Sequence, residues 1–427
     1  MTGNTTAAAA TERHAAFLDD FATLSTFGAT ERGGVHREAA TDADAAQRAW
    51  LGEQLAARGF RVCFDRVGNQ FGLLDVVPGA PYVLVGSHLD SQPFGGRYDG
   101  AYGVLAATHA AHRLAVRWRE AGATPRYNVG VVNWFNEEGS RFVPSMMGSS
   151  VFTGLLDADT ALDTRDLRDV RVGDRLAELG QLGETAPVID DVVAYAEIHI
   201  EQGRSLEESG HTIGLVHATW SAHKYFLTVE GEQSHTGSTI MADRRDALLG
   251  AAHLTVLARE ISDALSTPEA PLHTSVSQLT VEPNSPVTVA REARLHLDLR
   301  SPDEAVLERA NAMLHERIPA IERAARVRIS VSGAHHWGVR PFPAAGVKLA
   351  AGCAEELGLS HREIMTIAGH DSVNMNCRVP TVMLFVPSVE GISHNEGELT
   401  HDADACAGVD LLTEVLDRLA AGALATG

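Results

Sequence analysis

The hydropathy pattern predicts an α/β chain whose mainly parallel sheet is interrupted by an inserted α+β domain. Two apolar runs, PYVLVGSHLD and YNVGVVNWF, are of the kind found in strands buried on both faces, and a helical stretch rich in Ala, Leu and His separates them. The middle of the chain instead alternates strand and helix in the order β-α-β-β-α-β from about Lys224 to Ala334, the split βαβ pattern of a small antiparallel sheet covered by two helices. At 427 residues the chain is also longer than a single core usually supports, so two domains are expected.

Taken in order, the N-terminal MTGNTTAAAATERHAAF lacks a basic region followed by an apolar stretch. It does not read as a signal peptide and is expected to be a frayed, Ala-rich lead-in. Thr41–Gly59 reads as a helix: Thr and Asp stand at its start, Trp50, Leu51 and Leu55 follow helical spacing, and Gly59 is a stop. Short β-like runs follow, RVCFDRVG and FGLLDVV, before the two apolar strands and a later run, VVAYA. In the insertion, KYFLTVEGE, SVSQLTVEP, ARLHLDLRS and RVRISVSGA are strands. RRDALLGAAHLTVLAREISDAL and DEAVLERANAMLHERIPAIERAA are its helices. From about His336, VKLAAGCAEELG and TVMLFVPS return to the first pattern. The expected division is residues 1–214, an insertion over 215–334, and 335–427 completing the first domain.

With 35 Lys+Arg against 56 Asp+Glu the net charge is −21, which excludes a generic nucleic-acid or anionic-membrane binder. A small acidic substrate stays open, because one local Arg outweighs a distant field. The four cysteines show no C-x-x-C spacing, so neither a disulfide framework nor a thiolate metal site is expected, and a reducing cytoplasm is. No apolar run approaches the ~18 residues that span a bilayer.

Chemistry-bearing residues gather at the ends of the apolar strands, where α/β proteins place their sites. They are Gly86-Ser87-His88-Leu89-Asp90, Gly95-Gly96-Arg97-Tyr98-Asp99-Gly100, Asn136-Glu137-Glu138-Gly139, Glu197-Ile198-His199-Ile200-Glu201-Gln202-Gly203 and Ser393-His394-Asn395. His88, Asp99, Glu138, His199 and His394 offer three imidazoles and two carboxylates, a donor set suited to Zn²⁺ or Mn²⁺. A shared carboxylate can bridge two ions ~3.5–4 Å apart. Asp90, two residues after His88, is placed to accept the other imidazole N–H. Of the adjacent Glu137 and Glu138, one can bind metal while the other acts as a general base. Singly, each cluster has an ordinary reading as a turn, a solvated face or a hydrogen-bonded histidine; their joint occurrence at successive strand ends does not.

The segments GSHLDSQPFGGRYDG, WFNEEGSRFVPSMMGS, AEIHIEQG, SHTGSTIMADRRDAL, AGHDSVNM and VPSVEGISHNEGE resemble, in the same order, the motifs of a two-metal amidohydrolase family. That family holds the N-carbamoyl-L-amino-acid hydrolases, β-ureidopropionases and allantoate amidohydrolases, and is related to aminoacylases and metallo-aminopeptidases. The resemblance implies a metallopeptidase-like catalytic domain with an inserted lid and dimerisation domain. It implies metal ligands at His88, Asp99 (bridging), Glu138, His199 and His394 and a general base at Glu137. Lid residue His235 matches a histidine that polarises the scissile carbonyl, and Arg300 a clamp for the substrate carboxylate. Gln202 matches a polar substrate contact, and His370 and Asp371 a pair that either lines the pocket or supports the ligands from behind. Two departures stand out. Val287 occupies the place of an Asn thirteen residues before Arg300, with Asn284 nearby but three residues out of register, and Val382 replaces a Gly before the last strand. Both suggest an altered, more apolar substrate pocket.

The function so implied is cleavage of a linear, non-peptide C–N bond, in an N-carbamoyl (ureido) amino acid or related N-acyl compound, by a metal-bound hydroxide with Glu137 as base. Two divalent ions per subunit (Zn, Mn, Co or Ni), a small carboxylate-bearing substrate and a homodimer through the lid go with it, and neither nucleic acid nor membrane does. The alternatives are an aminoacylase or dipeptidase of the same superfamily, or a catalytically silent metal-binding regulator. A nucleotide-binding α/β protein is set aside, since no strand end carries G-x-G-x-x-G or G-x-x-x-x-G-K-[ST].

Overall fold

The computed structural model describes residues 2–424; Met1 of the Ala-rich lead-in and residues 425–427 of the closing segment lie outside the described residues. The strands in chain order are β1 (Arg61–Phe64), β2 (Gln70–Leu74), β3 (Tyr82–His88), β4 (Asn128–Trp134), β5 (Val192–Ile200), β6 (Ile213–Thr219) and β7 (Ser221–Glu230). There follow β8 (Ser234–His235), β9 (His273–Glu282), β10 (Thr288–Val289), β11 (Glu292–Ser301), β12 (Arg328–Trp337), β13 (His361–Thr366) and β14 (Thr381–Val386). The chain divides into two compact units, Met1–His217 with Phe342–Gly427, and Ala218–Pro341.

The first unit is built on an eight-stranded sheet of order β1-β2-β4-β3-β5-β14-β6-β13. Its centre, β4-β3-β5-β14, is parallel, while β2 against β4 and β6 against β14 are antiparallel. The apolar runs fill the parallel centre because those strands are covered on both faces. Val83 and Val85 of β3 enter one hydrophobic cluster with Val129, Val131, Ala194 and Ala196, and the intervening Leu84 enters another with Trp134 and Tyr195. Helices Ala101–Ala121 and Asp402–Ala420 supply Leu105, Leu114, Leu412 and Leu416 to the first cluster.

The helix expected over Thr41–Gly59 runs Asp42–Ala57, with Thr41 Oγ1 accepting from Asp44 N at its start. The N-terminal lead-in is a correction. It is a helix, Thr2–Leu24, and its last turns bury Phe17, Phe21 and Leu24. Phe17 packs edge-on against Tyr102 and His109, so an apolar stripe concealed behind the alanines ties the segment to the core.

In the second unit β12-β7-β11-β9 form a four-stranded sheet, antiparallel throughout. Alternation sends Tyr225, Leu227 and Val229 of β7 and Leu295, Leu297 and Leu299 of β11 to one face. There they meet Leu254, Leu257 and Leu314 of helices Ala247–Leu265 and Glu304–Ala325. A separate two-stranded ladder pairs β8 with β10, setting His235 opposite Thr288. The unit's two ends are joined by a backbone hydrogen bond from Thr219 N to Arg340 O (3.0 Å).

Candidate metal centre

His88 is the last residue of β3, His199 the last but one of β5, and Glu137 and Glu138 stand three and four residues past the end of β4. The strands are parallel, so their C-terminal ends converge, and the side chains they carry meet at one end of the sheet. Among the described residues, two groups of potential ligands have their donor atoms mutually within 4.8 Å: His88, Asp99 and His199, and Asp99, Glu138 and His394. Asp99 belongs to both. Its Oδ1 lies 3.0 Å from His199 Nε2 and 3.5 Å from His88 Nε2, and its Oδ2 3.3 Å from His394 Nε2. Glu138 Oε2 is 3.4 Å from the same His394 nitrogen.

The two groups differ in access. His88 and His199 are buried, whereas the His394 side chain is 50% exposed, so the second group opens to solvent. Both buried rings turn Nδ1 toward a main-chain carbonyl, His88 to Asp90 O (3.0 Å) and His199 to Ile200 O (2.9 Å). A proton on Nδ1 satisfies each carbonyl and leaves the Nε2 lone pairs directed at the centre, the tautomer of a metal ligand. Asp90 thus holds His88 through its carbonyl, while its carboxylate, 3.7 Å from the ring, accepts from Glu137 N and Glu138 N (both 3.2 Å).

The charge balance points the same way. Burial pushes Asp90 up to about 7 despite the attraction of His88, and raises Glu137, Glu138, Glu197 and Asp371 too. Burial disfavours a charged His394, but Glu138 and Asp99 outweigh it and raise that imidazole to about 10. Asp99 goes the other way: burial would raise it, but bonds from His199, His394 and His88 hold it well below the usual carboxylate range. A centre with this many buried carboxylates lacks positive charge, and a divalent cation supplies it. The residues therefore fit a metal.

Local backbone geometry makes the arrangement possible. Gly100 has φ +63°, and a Cβ there would stand 2.4 Å from His88 Nε2. Asn136 (φ 52°), Gln202 (59°) and His394 (52°) are left-handed without being glycine, a conformation sparsely populated for such residues and concentrated at functional sites.

Gln202 Nε2 bonds Asp99 Oδ2 (2.8 Å) and Ser393 Oγ (3.1 Å), so that part of its side chain serves the centre, and its buried Oε1 has no hydrogen-bond partner among the described residues. His370 lays its ring against His199, centroids 4.5 Å apart, and Asp371 is fully buried beside it. Val382 is a correction: it is a core residue of β14, packed near Gly346, and its departure concerns packing. Three expected site residues belong to the other unit. His235 is exposed on β8, Asn284 is exposed on the loop between β9 and β10, and Arg300 on β11 donates from Nε (3.0 Å) and Nη2 (2.7 Å) to Asp298 Oδ2.

A sequence model of peptidase family M20/M25/M40 matches residues 74–418. The chain belongs to that family. The M20/M25/M40 chain is 33% identical to an N-carbamoyl-L-amino-acid amidohydrolase of Rhizobium meliloti, over 92% of this chain and 93% of the relative. It is 34% identical to an allantoate amidohydrolase of Bacillus subtilis strain 168, over 93% and 95%. A crystal structure of a hydantoinase/carbamoylase family amidase from Burkholderia vietnamiensis superposes with TM-score 0.89 at 34% identity, covering 96% of this chain and 97% of that one. The protein is a C–N hydrolase. Among the described residues no helix is long and apolar enough to cross a membrane.

Sequence reasoning missed the supports of this M20/M25/M40 centre. Glu398 Oε1 accepts from Tyr98 N (2.9 Å) and Asp99 N (3.0 Å), and its Oε2 accepts from Ser393 Oγ (2.9 Å). Gln92 donates from N and Nε2 to Glu138, and Glu197 accepts from Ser87 Oγ (2.7 Å) and Ser372 N (2.8 Å). The available signal was position alone: each lies within a few residues of a candidate ligand.

Proposed function

We propose that this protein is a metal-dependent amidohydrolase cleaving the linear C–N bond of an N-carbamoyl (ureido) amino acid or a related N-acyl compound. The observation that carries the reading is Asp99, one carboxylate common to two ligand groups. The names of the relatives, N-carbamoyl-L-amino-acid and allantoate amidohydrolase, support the ureido class. His88, Asp99 and His199 would hold one divalent ion (Zn, Mn, Co or Ni), and Asp99, Glu138 and His394 a second. Bound there, such ions supply Lewis acidity for the carbonyl oxygen and lower the pKa of a water toward ~7.

Glu137 is the base. It is buried, with Oε2 3.5 Å from His88 Nε2. Burial, with Asp371, Glu138 and Asp90, lifts its pKa well above the usual carboxylate value in spite of His88, which suits a group that both takes and returns a proton. It removes a proton from the attacking water and returns one to the leaving nitrogen. The free amino acid departs, and the carbamic acid breaks down to carbon dioxide and ammonia. His235 donates to the substrate carbonyl oxygen and Arg300 binds the substrate carboxylate, with the second unit acting as lid and homodimer contact.

Glu137→Gln keeps shape and hydrogen-bonding reach but cannot carry the proton. Turnover should fall by about 10²–10⁴-fold with metal content unchanged. Full activity in that variant would remove Glu137 from the mechanism.

A further inference from the structure

The segment around His235 contains more order than an exposed loop requires. His235 Nδ1 accepts from two backbone donors, Gly237 N (2.9 Å) and Ser238 N (3.1 Å). An N–H can only donate, so Nδ1 must offer a lone pair and the ring proton lies on Nε2. The turn that supplies these donors is fixed in its own right. Thr239 N donates to His235 O (3.2 Å), and Thr236 N donates across to Val287 O (3.2 Å) beside the β8–β10 ladder. Half-buried Arg244 closes it, donating from Nε to Thr239 O (3.1 Å) and from Nη2 to Thr236 O. One planar guanidinium thereby bonds both ends of the turn from two fixed N–H directions, a geometry that the freely rotating ammonium of a lysine does not fix. The neighbouring Arg245 points elsewhere, toward Glu232 (3.7 Å), with its side chain 62% exposed.

We infer that Arg244 is a positioning residue: with the Gly237 and Ser238 N–H groups it holds His235 as the Nε2–H tautomer, so that His235 meets substrate as a hydrogen-bond donor and not as a proton acceptor. The functional half of this inference rests on the reading of His235 as a substrate-facing group; the tautomer does not.

The test is ¹H–¹⁵N long-range correlation of the histidine rings in the full-length, Zn²⁺-loaded, ¹⁵N-labelled protein, with the His235 signals assigned from His235→Asn. The wild type should show a pyridine-like Nδ1 and a pyrrole-like Nε2 for His235. In Arg244→Met and Arg244→Lys the two nitrogens should move toward tautomer averaging. The kcat on an N-carbamoyl amino acid should drop on the order of 10–10²-fold with KM changed less than about twofold and metal content unchanged. Arg245→Met should leave the His235 signals in place. A pyrrole-like Nδ1 in the wild type overturns the inference without any variant having to fold, and so do unshifted signals with unchanged kcat in both Arg244 variants. Full activity of His235→Asn alongside an intact wild-type tautomer would instead defeat the substrate-facing reading and leave the clamp standing.

Discussion

At the scale of single residues, the centre depends on a glycine as much as on its ligands. Gly100 has a left-handed φ of +63°, and a side chain there would run into the His88 imidazole at 2.4 Å. Its N–H donates to His199 Nε2 (3.0 Å), so one residue touches both buried histidines. Gly100→Ala should lower metal affinity roughly 10–100-fold, the scale of disturbing the support of a ligand, because the new methyl forces the His88 ring aside; titration against a chromophoric chelator reads it. An unchanged affinity would mean that the methyl is accommodated without moving the His88 donor. The residues that meet in the two candidate ligand groups were legible because few residue types bind divalent cations and apolar strands announce where their ends lie. Glu398 was not, since a Glu in a Gly-rich loop carries no periodicity, although its carboxylate fixes the backbone of Asp99. Val382 was misread for a related reason: a departure from a motif marks a changed residue but not the side to which it points, and this one points into the core.

At the scale of elements, strands and capped helices were readable and the first helix was not. Ala-rich sequence has high helix propensity but a weak apolar stripe, and Phe17, Phe21 and Leu24 become a face only when Tyr102 and His109 meet them. Arg37, fully buried, caps the end of that helix by donating to Leu24 O (2.8 Å). Phe17→Ala should destabilise the protein by about 3–5 kcal/mol in denaturant unfolding. The same contact carries a pH dependence. His109 is held below its usual 6.5 by burial, with Arg58 and Arg113 adding to the effect and Asp20, 2.8 Å away, opposing it. The unfolded chain therefore takes a proton near pH 6.5 that the folded chain declines, and this contribution to stability, complete above that pH, is lost as pH falls below it. Asp20 is held below 3.8, because bonds from His109 and attraction to Arg58 outweigh its burial, and its own contribution fades only below that pH. His109→Gln should thus flatten the decline in unfolding free energy between about pH 7.5 and 5.5 relative to wild type, in a window Asp20 leaves untouched. Parallel wild-type and variant curves would contradict the assignment.

At the scale of the whole molecule, the interruption of one α/β pattern by another was visible in the order of strands and helices. Two compact units are present, the second spanning Ala218–Pro341. Arg300 and His235 both fall in the second unit, and Arg300 pairs with Asp298, two residues before it on the same face of β11. The homodimer proposed for this chain predicts a sedimenting mass of twice 45.6 kDa, and a species of 45.6 kDa at micromolar concentration would exclude it. The acidic balance, −21 overall, places the recognition of any carboxylate substrate on local cations and not on the global field. The central claim is metal-dependent ureido hydrolysis, and a product assay tests it most directly. The chelator-stripped and the Mn²⁺- or Zn²⁺-reloaded protein would each be given matched N-carbamoyl, N-formyl and N-acetyl amino acids, with free amine and ammonia followed separately. The account predicts amine and ammonia together from the carbamoyl series, only after metal is restored; amine without ammonia, from the acyl compounds alone, would contradict the ureido claim and leave only the N-acyl part of the proposal, an aminoacylase.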